Sequence, residues 1–290
     1  MTERNRLNMD NLQIHSGRLD IGGKELYYEV SGSGPAVVLI HAHSVDRRMW
    51  DTQFASLATR YQVIRYDLRG YGLSDMPQEG EDYLHAEDLY KLMNHLGVKQ
   101  AHIVGLSLGA FVALDFQHLY PEHTMTVSVA GGAIYADEEE SDKEAQQDAD
   151  SSQETPSSRP GRQDPAIQAK VDEWFANLMD GCGAYKEEIR KQLWSMVCDW
   201  SAWTFRHQEP KCLIGPALTR GLRERSSGTP ILVIIGGDDW EGSIRSSVKL
   251  LALVPYARRM DITDAGHFSS MERPEVFTKG LELFFEEQEQ

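Results

Sequence analysis

The chain has 290 residues, of which 41% are apolar and 26% charged, with a formal charge of −16. This length lies near the limit of a single hydrophobic core, and the composition is that of a globular protein rather than a disordered or fibrous one. No run approaches the roughly 18 consecutive apolar residues of a membrane helix, and no basic stripe offsets the acid, which excludes nucleic acid as a partner class. The first residues, "MTERNRLNMDNLQIH", carry charge without an apolar stretch or a small-residue cleavage site, so they do not read as a secretory signal. The three cysteines, Cys182, Cys198 and Cys212, are odd in number and lack a CxxC pair. They argue against a disulfide framework and a structural zinc site, and for a cytoplasmic protein with reduced thiols.

"GRLDIGGKELYYEVSG" holds two short β runs around Gly22 and Gly23, a hairpin pattern. "AVVLIH" at 36–41 is continuously apolar and β-branched, as in a strand buried on both faces. "RRMWDTQFASLATR" places Met49, Trp50, Phe54 and Leu57 at helical spacing. "YQVIRYD" is the next strand, and "DYLHAEDLYKLMNHLG" the next helix, stopped by Gly97. "HIVGLS" is again a buried strand, "LGAFVALDFQHLY" a helix ended by Pro121, and "MTVSVAGG" a strand. Strands alternating with helices predict a parallel sheet covered on both sides, with right-handed crossovers.

The alternation breaks after Ile134. From Asp137 to Glu154 there are nine acidic residues and one lysine, a net −8, with no apolar periodicity. This predicts a mobile, solvated acidic loop over 137–163. Helical patterning resumes at "DPAIQAKVDEWFANLMDG", with Asp164 as a candidate N-cap and Pro165 in the first turn. "AYKEEIRKQLWSMVCDW" is a second helix, and this region is dense in Trp and Phe. Those aromatics either pack the insert or line an apolar pocket. The strand–helix rhythm returns with "TPILVIIGGDD", "SIRSSVKLLALVP", "ARRMDIT" and "PEVFTKGLELFFEEQ". The predicted organisation is therefore a core over 1–136 and 229–290, interrupted by a helical insert at 137–228.

Gly105-Leu106-Ser107-Leu108-Gly109 falls where a predicted strand meets a predicted helix. A sharp turn there needs small residues two positions before and after the serine, and it exposes the hydroxyl at the carboxyl end of the sheet. By itself the pentapeptide also fits a passive serine between packing glycines. A serine hydroxyl reacts at neutral pH only with a positioned base, itself oriented by an acid. "ILVIIGGDDW" ends a later strand with Asp238 and Asp239, and "RRMDITDAGHF" ends the next with His267. The order Ser, Asp, His is thus met at strand ends. Asp67 and Arg69 of "DLRGYGLSD" read as structural, forming a turn that supports the nucleophile loop. Asp115 and His118 lie too far along the helix after Ser107 to join it.

"HAHS", "YDLRGYGLSD", "GLSLGA", "GGDDW" and "DAGHF" together give the chain a resemblance to the α/β-hydrolase family over nearly its whole length. The resemblance implies an eight-stranded, mostly parallel sheet with helices on both faces and a helical cap inserted after the sixth strand. It makes Ser107 the nucleophile and His267 the general base. The acid is Asp239, counted three residues from Gly236, with Asp238 the lesser choice and Asp137 a remote one. The oxyanion-hole N–H groups fall to Leu108 and to His43 of His41-Ala42-His43. Family members usually carry glycine where Ala42 stands, and the His43 side chain either contacts substrate or packs.

A serine nucleophile argues against halide and epoxide chemistry, which resembling enzymes perform with Asp. The leading expectation is a carboxylic ester hydrolase acting through an acyl-enzyme on a small, mainly apolar ester or lactone. Alternatives are a carbon–carbon bond hydrolase of a vinylogous diketone, a cofactor-free haloperoxidase or perhydrolase, and a non-catalytic ligand-binding member of the fold. No cofactor is implied, because the dinucleotide, phosphate-loop and metal-ligand motifs are lacking. Neither a membrane nor nucleic acid is an expected partner, and the oligomeric state is not legible.

Overall fold

The computed structural model describes residues 12–134, 165–207, 210–223 and 228–288. Eight strands form one sheet in the order β1-β2-β4-β3-β5-β6-β7-β8. β1 (His15–Asp20) and β2 (Glu25–Ser31) make the antiparallel hairpin at the edge, and β2 runs antiparallel to β4 (Gln62–Tyr66). β3 (Ala36–Ile40), β5 (Ala101–Leu106), β6 (Thr124–Ala130), β7 (Ile231–Gly236) and β8 (Arg258–Ile262) continue it in parallel. The eight-stranded, mostly parallel sheet that the α/β-hydrolase resemblance implies is the one observed. The continuously apolar strands occupy the centre: every residue of β3, β5 and β7 is buried. β1, with four of its six residues exposed, takes the edge.

Helices cover both faces. α1 (Asp51–Leu57) and α9 (Pro274–Gln288) pack against each other and reach β4 and β6 respectively. Phe54, Phe277 and Phe285 are fully buried in this layer, each such ring stabilising the fold by about 1.5–3 kcal/mol. α2 (His85–His95) packs on α3 (Leu108–Leu119), which lies over β5 and β6, while α7 (Glu241–Leu253) covers β7. Gly97, at φ 69°, lets the chain leave α2. A short α8 (Ser269–Glu272) precedes α9. No helix among the described residues is long and apolar enough to cross a membrane.

Between β6 and β7 the described residues are helical: α4 (Pro165–Asp180), α5 (Lys186–Asp199), a single turn at Trp203–Phe205 and α6 (Ala217–Arg223). The acidic stretch 137–163, Asp137 and the N-cap candidate Asp164 lie outside the described residues. Polar contacts fasten this insert to the core. Arg48 bridges Asp46 and Asp199, and Gln192 Nε2 donates to the Arg48 carbonyl. Asp115 accepts the Ile214 N–H, and Glu272 accepts the Gly183 N–H.

Candidate active site

β5 ends at Leu106, and α3 begins at Leu108, so Ser107 alone makes the turn. Its φ of 55° and ψ of −119° lie in a strained region for a residue with a side chain. The flanking glycines are there for space. A Cβ on Gly105 would stand 2.0 Å from the Gly109 carbonyl oxygen, and one on Gly109 would stand 2.2 Å from the Ile40 carbonyl oxygen. The turn is held from β6, where the Ala130 carbonyl accepts the Ser107 N–H at 2.8 Å.

The residue after Ala130, Gly131, marks where His267 sits. A Cβ on Gly131 would lie 2.9 Å from His267 Cε1. His267 Nδ1 is 3.0 Å from Asp239 Oδ1, and both side chains are nearly inaccessible. The same oxygen accepts the Trp240 N–H at 2.7 Å, so backbone and base share it. An acid bonded to Nδ1 sets the tautomer that leaves Nε2 as the basic nitrogen. Asp238, by contrast, is exposed, and its N–H goes to the Ala265 carbonyl. Asp115 and His118 turn away from this cluster, Asp115 toward Ile214 and His118 toward Gly221 of the insert.

The other side of the site is the loop after β3. Neither the His43 N–H nor the Leu108 N–H donates to an acceptor among the described residues. The close approach of Gly109 to the Ile40 and His41 carbonyls draws their two segments together. Ala42 fits without strain: it is buried, and the left-handed residue of this loop is Ser44, at φ 59°. His41 is fully buried and locks the loop. Its Nε2 accepts the Leu68 N–H at 2.9 Å, so Nδ1 carries the proton given to the Ala42 carbonyl at 2.7 Å. Asp67 accepts from the backbone N–H groups of Arg47 and Leu73 and pairs with the Arg47 guanidinium. Arg69 forms a two-pronged ion pair with Asp88 on α2. Both are structural, but their partners are the loop after β3 and α2 rather than the nucleophile turn.

The sequence pattern of the alpha/beta hydrolase family matches residues 37–279. The chain belongs to the alpha/beta hydrolase family. It is similar to 3-oxoadipate enol-lactonase 1 of Acinetobacter baylyi, 25% identical over 261 residues, covering 88% of this chain and 91% of that protein. An uncharacterized hydrolase of Bacillus subtilis, YraK, is 32% identical over 114 residues, spanning 38% of this chain and less than half, 42%, of that protein. Among solved structures, a thermophilic esterase from Thermogutta terrifontis superposes with a TM-score of 0.76 at 24% identity, over 95% of this chain and 100% of that one. At that identity the likeness shows the fold alone.

Two residues beside this candidate site escaped the sequence. Trp240 lays its ring 4.5 Å from the His267 ring and against the Gly181 backbone of the insert. Glu272 is buried, with Oε2 on the Gly183 N–H at 2.6 Å and Oε1 on the Gly266 N–H at 3.0 Å. Burial pushes its carboxyl group up, and the two N–H donors oppose that shift. The base loop and the insert turn are further joined by His267 N–H to the Gly181 carbonyl, 2.7 Å, and Ala184 N–H to the Asp264 carbonyl, 3.1 Å. The spacing of Glu272 behind His267 was the available signal, but its insert partner lies 89 residues away.

The insert's aromatic residues split between two environments. Trp174 and Trp200 close on His43, with ring centroids at 5.6 and 5.0 Å. Phe175 and Trp194 instead line an open groove of about 490 Å³ between α4 and α5, with Asp172, Glu187, Arg190 and Lys191. Packing and pocket lining are thus both present.

Proposed function

We propose that the chain is a serine hydrolase of small, largely apolar carboxylic esters or lactones, with residues 137–228 as a cap over the site and 1–136 with 229–290 as the core. The observation that carries this reading is the 3.0 Å contact between Asp239 Oδ1 and His267 Nδ1, with the His267 ring against Gly131 beside the strained Ser107 turn. Its resemblance in sequence to an enol-lactonase over most of both chains supports the choice of an acyl substrate.

In this mechanism Ser107 Oγ attacks the carbonyl carbon as His267 Nε2 takes its proton. Asp239 keeps the imidazole in the productive tautomer and stabilises its cation. The carbonyl oxygen becomes an oxyanion, held by the N–H groups of His43 and Leu108 at the start of α3. The tetrahedral adduct collapses, the carbon–oxygen bond of the ester breaks, and His267 gives its proton to the departing alkoxide. Water, deprotonated by the same imidazole, then attacks the Ser107 acyl ester, and the second collapse returns the proton to Ser107 and releases the acid. The three thiols are free, which supports a cytoplasmic setting for this chemistry.

Labelling with a fluorophosphonate probe tests the proposal. Folded wild-type protein is expected to take one label, at Ser107, and to turn over short p-nitrophenyl esters. Ser107→Ala is expected to lose both, with turnover down about 10⁴-fold or more. Wild-type protein that takes no label, or a Ser107→Ala variant of equal activity, overturns it.

A further inference from the structure

His43 is committed at one end only. Its Nδ1 lies 2.6 Å from the Tyr71 hydroxyl, and its ring meets the edges of Tyr71, Trp174 and Trp200 with centroids 5.0–5.7 Å away. Trp174 is pinned there by its Nε1–H on Ser44 Oγ, at 2.7 Å. The other nitrogen, Nε2, has no partner among the described residues, yet it is not among the sealed polar atoms. An imidazole walled by aromatic rings, half-buried and with one open nitrogen, offers a single hydrogen bond to whatever enters.

The character of that bond follows from its surroundings. Removal from water, and to a lesser degree His41, push the His43 imidazole down to about 4, so it is neutral at ordinary pH. A phenol is the stronger proton donor of the Tyr71–His43 pair, which makes Nδ1 the acceptor and leaves a hydrogen on Nε2. Among the described residues, the arginines of the loops after β3 and β4 are all paired and offer no counter-charge for an anion. Arg47 is taken by Glu29 and Asp67, Arg48 by Asp46 and Asp199, and Arg69 by Asp88.

The order of strands says which part of a substrate lies here. Ser107 ends β5. His43 follows β3 and Tyr71 follows β4 on one side, while Asp239 follows β7 and His267 follows β8 on the other. The leaving group must receive its proton from His267 and so occupies the β7–β8 side. The acyl chain extends the other way, toward His43.

We infer that the His43 side chain is a specificity-determining contact, donating its Nε2–H to an uncharged oxygen on the acyl chain of the substrate. This deepens the serine-hydrolase reading and rests on it. The preferred substrates are then esters or lactones whose acyl part carries a ketone, ether or hydroxyl oxygen in an otherwise apolar chain. Substrates with a second carboxylate are disfavoured.

Matched p-nitrophenyl esters test it: 4-oxopentanoate against 4-methylpentanoate, 5-oxohexanoate against 5-methylhexanoate, and the hemisuccinate as the anion. Within each pair a methyl group replaces the oxygen. The wild-type kcat/KM ratio of ketone to methyl ester is expected to be about 5-fold or more for at least one pair. The ratio should fall to about 1 in His43→Phe, which fits the aromatic surround, and to an intermediate value in Tyr71→Phe. Reading a ratio within each variant cancels any general loss of activity. A wild-type ratio near 1 for both pairs, a preference that survives in His43→Phe, or the hemisuccinate as best substrate overturns the inference. Protein that takes the fluorophosphonate label but shows no ketone preference refutes this inference alone; protein that takes no label refutes the hydrolase reading first.

Discussion

Replacing Glu272 with glutamine separates the base from the insert while changing the side chain's size very little. The carboxylate accepts two backbone N–H groups, from Gly183 at 2.6 Å and Gly266 at 3.0 Å. A glutamine keeps one acceptor oxygen and turns its NH₂ toward the other N–H. One charge-assisted bond is lost, about 1.5–3 kcal/mol, and a buried N–H is left unpaired, so the total cost is about 2–4 kcal/mol. Gly266 precedes His267, and the Gly181 carbonyl holds the His267 N–H, so relaxation on either side of the break moves the imidazole. A shift of about 1 Å at a reacting group is enough for a 10²-fold loss. We expect kcat on p-nitrophenyl butanoate to fall about 10- to 100-fold with KM nearly unchanged, and the fluorophosphonate labelling rate to fall in parallel. Urea denaturation measures the stability term on the same samples. A variant that loses the predicted stability but keeps kcat within about 2-fold of wild type would falsify the positioning role.

Asp115→Asn tests a buried acid outside the site. Burial pushes Asp115 up to about 7 from the usual 3.8, so between these values the folded chain holds a proton that the unfolded chain releases. Stability from this group therefore falls as pH rises from about 4 to 7, by up to about 4 kcal/mol. The variant should be the more stable form at pH 8, with the difference fading toward pH 4–5; urea melts showing the same difference at both ends would count against this. Gly105→Ala places a methyl 2.0 Å from the Gly109 carbonyl, so the nucleophile turn must shift. Loss of fluorophosphonate labelling, together with about 1–3 kcal/mol of stability, is the expected outcome, and normal labelling would show that the turn yields freely.

What the sequence made legible was local or ordered along the chain. Unbroken apolar runs rich in β-branched residues marked β3 and β7, and the succession Ser107, Asp239, His267 at strand ends located residues that the fold gathers at the carboxyl end of the sheet. Asp239 could be preferred over Asp238 only by counting, and its contact with His267 now distinguishes them. Long-range partnerships were invisible. Nothing near Glu272 points to Gly183, and nothing near Arg48 points to Asp199, 151 residues away. The fate of individual tryptophans was equally hidden, because helical spacing alone does not say which neighbour a face will meet. Trp174 and Trp194 stand on adjacent insert helices, yet one closes on His43 and the other lines a groove with Phe175.

The two sides of the site are stiffened by different means, and the difference bears on where its specificity resides. On the His267 side, backbone meets backbone: Gly181, Gly183, Gly236 and Gly266 approach so closely that added Cβ atoms would overlap main-chain or ring atoms. That side has little freedom to vary without disturbing the base. On the His43 side the frame is electrostatic. Glu29 pairs with Arg47 and Arg65, Arg65 with Asp51, and Arg47 with Asp67, all largely buried. Breaking one such buried pair costs about 3–5 kcal/mol, so the loop backbone that presents the His43 N–H is firmly set. The His43 imidazole itself belongs to neither frame: among the described residues its one hydrogen-bond partner is Tyr71. A side chain rooted in a rigid loop, but spared from holding that loop in place, is free to differ between related hydrolases without harm to the fold. The proposed choice of acyl chain can therefore be written at His43 without moving the proposed triad of Ser107, Asp239 and His267.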